Sequence, residues 1–255
     1  VSDLIGFEIR EAVAELRFNR PSKKNAITAD MYAELAGGLE AAARDPYVRV
    51  VLLTAAGDAF TAGNDLADFL NQRPAAGEMP VTRFLRTIST FPKPILAAVN
   101  GVAVGVGTTM LLHCDFVIAS TNASFQLPFV NLGLVPEAAS SLLLPRAIGS
   151  HRAAEMLMLG DPIDASTAER FGLVYRIVES GRLEATTREL ALRLAAKPPE
   201  ALRLTKALLR GDPKETADRM ATEGSHFAER LQSNEAREAF AAFLAKREPV
   251  FQSVV

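Results

Sequence analysis

Continuous apolar runs alternate with stretches of helical period through residue 178, and beyond it the chain reads as helix alone. In residues 48–54, Val50, Val51, Leu52 and Leu53 follow one another without a polar break, which predicts a strand buried on both faces. Residues 94–100, 115–120 and 174–178 predict three more strands, and residues 7–18 two short ones turning at Glu11-Ala12. Thr28 and Asp30 precede Met31, Leu35 and Leu39, spaced four apart, and predict a capped helix. Further helices are expected from residue 65 to 70 and over residues 138–146, 152–159 and 167–171. Residues 101–107 read as a glycine-rich turn leading into a helix through Leu112. Pro74 and Gly77 mark residues 72–79 as a surface loop beside the site. After Gly181, four amphipathic helices follow: one marked by Leu183, Leu190 and Leu194, then residues 199–209, 214–232 and 234–246. This order predicts an α/β core with a helical extension and no repeat of fixed period.

Composition narrows the function. The chain has 255 residues, 49% hydrophobic and 23% charged, which excludes a mainly disordered protein. A net charge of −2 supplies no basic field for nucleic acid or an anionic membrane. One cysteine, Cys114, excludes an internal disulfide, and three histidines leave little material for a metal centre. Residues 95–112 carry no charge, but Asn100, Gly101, Gly105 and Gly107 argue against a lipid-facing helix. Neither end of the sequence reads as a targeting signal, so a soluble, cytoplasmic protein is the expectation.

Three glycine-bearing turns stand out, over residues 60–66, 100–107 and 132–137. The second has the spacing G-x-x-x-G-x-G, which is neither a dinucleotide fingerprint nor a phosphate-binding loop. Two such turns can each aim one backbone N–H at a common anionic oxygen. Taken singly, each is equally a tight turn that packing requires.

The segments AFTAGNDL (59–66) and VNGVAVGVGTTMLLHCDFVIAS (99–120) resemble the crotonase superfamily, the enoyl-CoA hydratase/isomerase family. The resemblance runs from Phe18-Asn19-Arg20-Pro21 to the last helix. It implies a spiral of ββα units over residues 1–195, a helical trimerisation region over 196–255, and a homotrimer or a hexamer of two trimers. It also implies an acyl-CoA thioester whose carbonyl accepts from the N–H groups of Asn64 and Val106, with valine where many relatives have glycine. The two glutamates of the family's hydratases correspond here to Thr109 and Phe129, neither of which is a base. Glu137, in LGLVPEAASS (132–141), is instead similar to the catalytic glutamate of the Δ3,Δ2-enoyl-CoA isomerase branch. On the residues alone, Glu137 reads equally as a carboxylate favoured by the dipole at a helix N-terminus. Leu134, Val135, Phe129 and Leu142 are the apolar neighbours expected to raise its pKa.

The resemblance further implies coenzyme A contacts at Lys23, Lys24, Ala26, Ala62, Asp65, Leu66, Phe243 and Lys246. The two lysines are otherwise solvated surface, Asp65 a helix cap and Phe243 a core residue. His113, Cys114, Ser140 and Ser141 read as packing residues. No metal or redox cofactor is implied, coenzyme A being part of the substrate. The expected activity is double-bond isomerisation in acyl-CoA breakdown. The alternatives are hydration or another reaction on the same scaffold, such as thioester hydrolysis, and a silent acyl-CoA-binding protein.

Overall fold

The structure of the protein is a computed structural model and describes residues 3–71 and 77–251. Its strands are β1 (Ile5–Arg10), β2 (Val13–Phe18), β3 (Val50–Ala55), β4 (Ala59–Thr61), β5 (Ile95–Val99), β6 (Val102–Val104), β7 (Phe116–Ser120), β8 (Ser124–Gln126), β9 (Ile163–Asp164) and β10 (Arg176–Val178). Its helices are α1 (Ala29–Arg44), α2 (Leu66–Asn71), α3 (Pro80–Ser89), α4 (Val106–Thr109), α5 (Ser140–Ile148), α6 (Ser150–Ala154), α7 (Ala165–Phe171), α8 (Leu183–Ala195), α9 (Pro199–Arg210), α10 (Pro213–Leu231) and α11 (Asn234–Leu244).

One sheet runs β1-β2-β3-β5-β7-β10 and is antiparallel only between β1 and β2. A smaller sheet runs β4-β6-β8-β9 and is antiparallel only between β8 and β9. The pairs β3-β4, β5-β6 and β7-β8 each place one strand in either sheet before the chain turns helical. The architecture is therefore a mixed α/β fold of repeated ββα units with a C-terminal helical region. The helical portions differ greatly in length, so the repeat has no fixed sequence period.

The central strands β3 and β5 are covered on both faces, which accounts for their unbroken apolar runs. On one side α1 packs Met31, Leu35 and Leu39 into the main core, with the Thr28 hydroxyl accepting from the Met31 N–H at 3.4 Å. On the other, Leu183 and Ala191 of α8 close over Val50, Leu52 and Leu96. Helix α9 is tied to the sheet by charge: Lys206 Nζ lies 2.8 Å from Asp115, and Arg210 donates to the carbonyls of Leu112, His113 and Cys114.

Several expected elements differ. Within residues 101–107 lies strand β6, too short to show alternation in sequence, and the helix after it begins at Val106. Helix α3 was absent from the pattern reading; Phe84, Leu85 and Ile88 form its buried face. The helix expected over 152–159 is α6 followed by a wider i→i+5 turn, Glu155–Leu159, ended by Gly160 at φ +70°. The helix expected from residue 138 starts at Ser140, because Ala138 and Ala139 are left-handed at φ +59° and +56°. Of the expected loop 72–79, residues 72–76 lie outside the described residues. No described helix is long and apolar enough to cross a membrane.

Candidate active site

Strands β4 and β6 are parallel neighbours, so the chain leaves both at the same end. The turn after β4 bridges to residue 27: the Ile27 N–H donates to the Gly63 carbonyl at 2.8 Å, and the Asp65 N–H to the Ile27 carbonyl at 2.9 Å. That parallel pattern turns the N–H of Asn64, between them, away from the bridge. Val106 is the first residue of α4, and its N–H has no acceptor within the helix. The two turns press together through glycine. A Cβ on Gly63 would lie 2.8 Å from the Val104 carbonyl oxygen, and one on Gly107 would lie 2.6 Å from Thr61 Cγ2. The buried Tyr32 hydroxyl donates to Asn64 Oδ1 at 2.5 Å and holds that side chain in place.

Two cavities meet at this point, and Asn64 and Phe227 line both. The first, about 480 Å³, lies between α3 and α10 and is walled by Val81, Leu85, Met220 and Leu231, with Glu137 and Ala138 also in its lining. The second, about 500 Å³, opens between the two glycine turns and α11, and is lined by Val106, Phe129, Leu134, Phe240 and Phe243.

Glu137 is 9% exposed, and its Oε1 has no hydrogen-bond partner among the described residues. Burial pushes its carboxyl up to about 7; the nearby Glu223 carboxylate adds to the rise, and a hydrogen bond with the Thr109 side chain opposes it. The turn beneath it is pinned three ways. Ser140 donates to the Glu137 carbonyl from both its N–H, at 2.9 Å, and its hydroxyl, at 2.6 Å. His113 Nε2 lies 2.9 Å from the Ala138 carbonyl oxygen, and burial pushes its pKa down to about 4. The ring is therefore neutral with its proton on Nε2, because a carbonyl can only accept. Glu223 of α10 accepts from the N–H groups of Ala139 and Ser141 at 2.6 and 2.9 Å.

The arrangement is one carboxyl of near-neutral pKa in the lining of the first cavity, with the Asn64 turn shared by both cavities and Val106 in the second. The model of the family described as enoyl-CoA hydratase/isomerase matches residues 8–254. The chain belongs to the enoyl-CoA hydratase/isomerase family. It is 37% identical over 252 residues to 1,2-epoxyphenylacetyl-CoA isomerase from Escherichia coli, covering 95% of this chain and 96% of that one. It is 34% identical over 255 residues to crotonyl-CoA hydratase from Syntrophomonas wolfei, covering 96% of each. Among solved structures, an enoyl-CoA hydratase/isomerase from Pseudoalteromonas atlantica superposes with a TM-score of 0.95 at 46% identity, covering 98% of this chain and all of that one. Family membership makes the protein an acyl-CoA-processing enzyme. Isomerases and hydratases both match it well, so the likeness alone does not select between the two reactions.

Family membership gives the expected site residues a common frame. Asn64 lines both cavities, Glu137 the first and Val106 the second. Ala62, Leu66 and Phe243 line the second cavity, whereas Lys23, Lys24, Ala26, Asp65 and Lys246 are not among its lining residues. Asp65 pairs with Arg20 at 2.6 Å and accepts from the N–H groups of Ala67 and Asp68, so it serves as an ion-pair partner and helix cap. Lys23, Lys24 and Lys246 are exposed. Phe243 is 60% exposed, so its alternative reading as a core residue does not hold.

Phe129 and Leu134 line the second cavity, and the walls of the first come from α3 and α10. Cys114 is buried with its thiol pushed up to about 12 by that burial, which leaves it no nucleophilic role. Sequence reasoning missed Tyr32, Glu223 and the hydrogen bond of His113. Each acts across a long sequence separation and none belongs to a local motif.

Proposed function

We propose that the protein is a Δ3,Δ2-enoyl-CoA isomerase in which Glu137 alone moves the proton. The observation that carries this reading is the carboxyl itself, buried in the lining of the first cavity with Oε1 unpartnered among the described residues. At the two positions that correspond to the hydratase glutamates stand Thr109, hydrogen-bonded to Glu137, and buried Phe129. Neither side chain is a base, so the pair of glutamates by which the hydratases position and activate water has no counterpart at these positions.

A 3-enoyl thioester carries an acidified proton at C2. The Glu137 carboxylate takes it, the C2–H electron pair delocalises into the thioester carbonyl, and the dienolate oxygen accepts from the N–H groups of Asn64 and Val106. The same carboxyl returns the proton at C4 and leaves the conjugated 2-enoyl thioester. A carboxyl that titrates near neutrality suits both halves of this transfer, since it is neither too weak to take a proton nor too strong to give one back. The acyl chain fits the cavity between α3 and α10. The thioester end of coenzyme A fits the second cavity, with Lys23, Lys24 and Lys246 as candidate partners for its phosphates. The exposed Leu204, Leu208 and Leu209 of α9 offer an apolar face for a homotrimer.

The test is a spectroscopic assay of trans-3-enoyl-CoA conversion beside hydration of 2-enoyl-CoA, with wild type and Glu137→Gln. Isomerisation abolished in the variant, with negligible hydration in either protein, is expected. Robust hydration that survives the substitution would overturn the isomerase reading. Acyl-CoA binding without turnover of either substrate would identify a silent binder.

A further inference from the structure

Helix α5 begins without a cap of its own. Its N-cap residue is Ala139, which has no side-chain oxygen, and the two residues before Ser140 are both left-handed without being glycine. Such a pair costs energy and persists only where surrounding contacts enforce it. The enforcing group comes from α10. Glu223, 5% exposed, accepts from the Ala139 N–H at 2.6 Å, the Ser141 N–H at 2.9 Å and the Ser141 hydroxyl at 2.5 Å. Three donors, two of them at a helix N-terminus, hold one buried carboxylate.

We propose that Glu223 is a positioning residue for Glu137: by capping α5 from a distant helix it locks the left-handed Ala138-Ala139 pair and so aims the Glu137 carboxyl into the acyl cavity. The inference rests on Glu137 being the base. Helix α10 also supplies Met220, Gly224 and Phe227 to the cavity wall, so one rigid element carries both the acyl-chain wall and the clamp on the catalytic turn. Glu223 has a second effect, because its negative charge raises the proton affinity of Glu137.

The other polar groups around Glu137 are accounted for. Tyr32 on α1 is kept neutral by burial, as is His113, and Thr109 of α4 hydrogen-bonds the carboxyl. Arg219 of α10 reaches Ser141 Oγ at 3.5 Å. Arg86 of α3, which lines the cavity, is paired with Glu78.

The experiment follows exchange of the C2 proton of a saturated acyl-CoA for deuterium, which needs the base and the two N–H donors but no particular net reaction. Glu223→Gln should lower kcat for exchange about ten- to a hundredfold with little change in KM. It should also move the acidic limb of the pH profile to lower pH, since a neighbouring negative charge is gone. Glu223→Asp keeps the charge but is one methylene short. It should lose kcat while the limb stays in place. If Glu223→Gln does not fold, Ser141→Ala removes one donor from the clamp, keeps the charge, and should lower kcat by a smaller factor at unchanged pH limb. Folded variants with wild-type kcat and wild-type pH limb, altered only in melting temperature, would overturn the proposal. Exchange in the wild type without isomerisation rejects the isomerase reading alone. Absence of both exchange and isomerisation in the wild type removes Glu137 as the base and overturns both.

Discussion

At Glu137 burial makes the charge of the carboxyl expensive, and on the proposed mechanism that carboxyl is the base. Activity requires the ionised form, so kcat/KM should rise with pH through a midpoint near the value of about 7 set by that burial. Stability should respond in the opposite sense. The folded pKa lies above the unfolded one, so stability is intact below the unfolded value and falls as pH rises toward the folded one. Glu137→Gln removes this cost, and its thermal advantage over wild type should be absent near pH 4 and grow to at most roughly 3 kcal/mol by pH 8. Melting temperatures across that range check it. Gly107 makes a separate residue-scale case. Adding a methyl there drives Cβ to 2.6 Å from Thr61 Cγ2 and 3.0 Å from the Thr61 carbonyl oxygen, displacing the adjoining Val106 N–H. Gly107→Ala should lower kcat about tenfold or more while the protein stays folded by circular dichroism. Asn64, Val106 and Glu137 stood out as expected site residues through the local motifs that carry the family resemblance. The reading of Glu137 as a helix-dipole carboxylate was a sound local inference, but Glu223 takes that role, from a part of the chain no local window includes.

Among elements, α10 supplies much of the wall of the first cavity, the proposed acyl site. Ala217, Ala221, Gly224 and Ala228 turn small side chains toward the cavity, opposite Val81 and Leu85 of α3. A Cβ on Gly224 would meet nothing within 4 Å, so a larger side chain there projects into open cavity rather than into protein. Gly224→Leu should raise KM for long-chain enoyl-CoA about tenfold relative to short-chain substrate, measured as a chain-length series. The amphipathic period revealed α10 as a helix but said nothing of what its small face surrounds. Helix α3 was not seen at all. Its buried Phe84, Leu85 and Ile88 lie close behind a proline- and glycine-bearing stretch, and the turn signal dominated the reading. Strand β6 was lost for a different reason: three residues are too few to display a period.

For the molecule as a whole, α9 leaves Leu208 84% and Leu209 83% exposed on a helix otherwise anchored firmly by Lys206 and Arg210. A rigidly held apolar face of this kind is suited to burial between subunits. Leu208→Asp should shift the sedimentation coefficient from that of a homotrimer to that of a monomer, with the circular dichroism spectrum unchanged. The reverse result, a monomeric wild type, would dismiss the trimer.

The sequence by itself determined the buried strands of the main sheet, the helical tail, the family, and the residues at the glycine turns. These are encoded in contiguous patterns, in which each residue's neighbours in sequence are also its neighbours in space. Only the tertiary structure decided which cavity each residue faces, that α3 and α10 wall the first cavity, and that Glu223 and His113 hold the turn bearing Glu137. Those relations depend on contacts between distant segments, and the burial that tunes Glu137 exists only once helices far apart in the chain have closed around it.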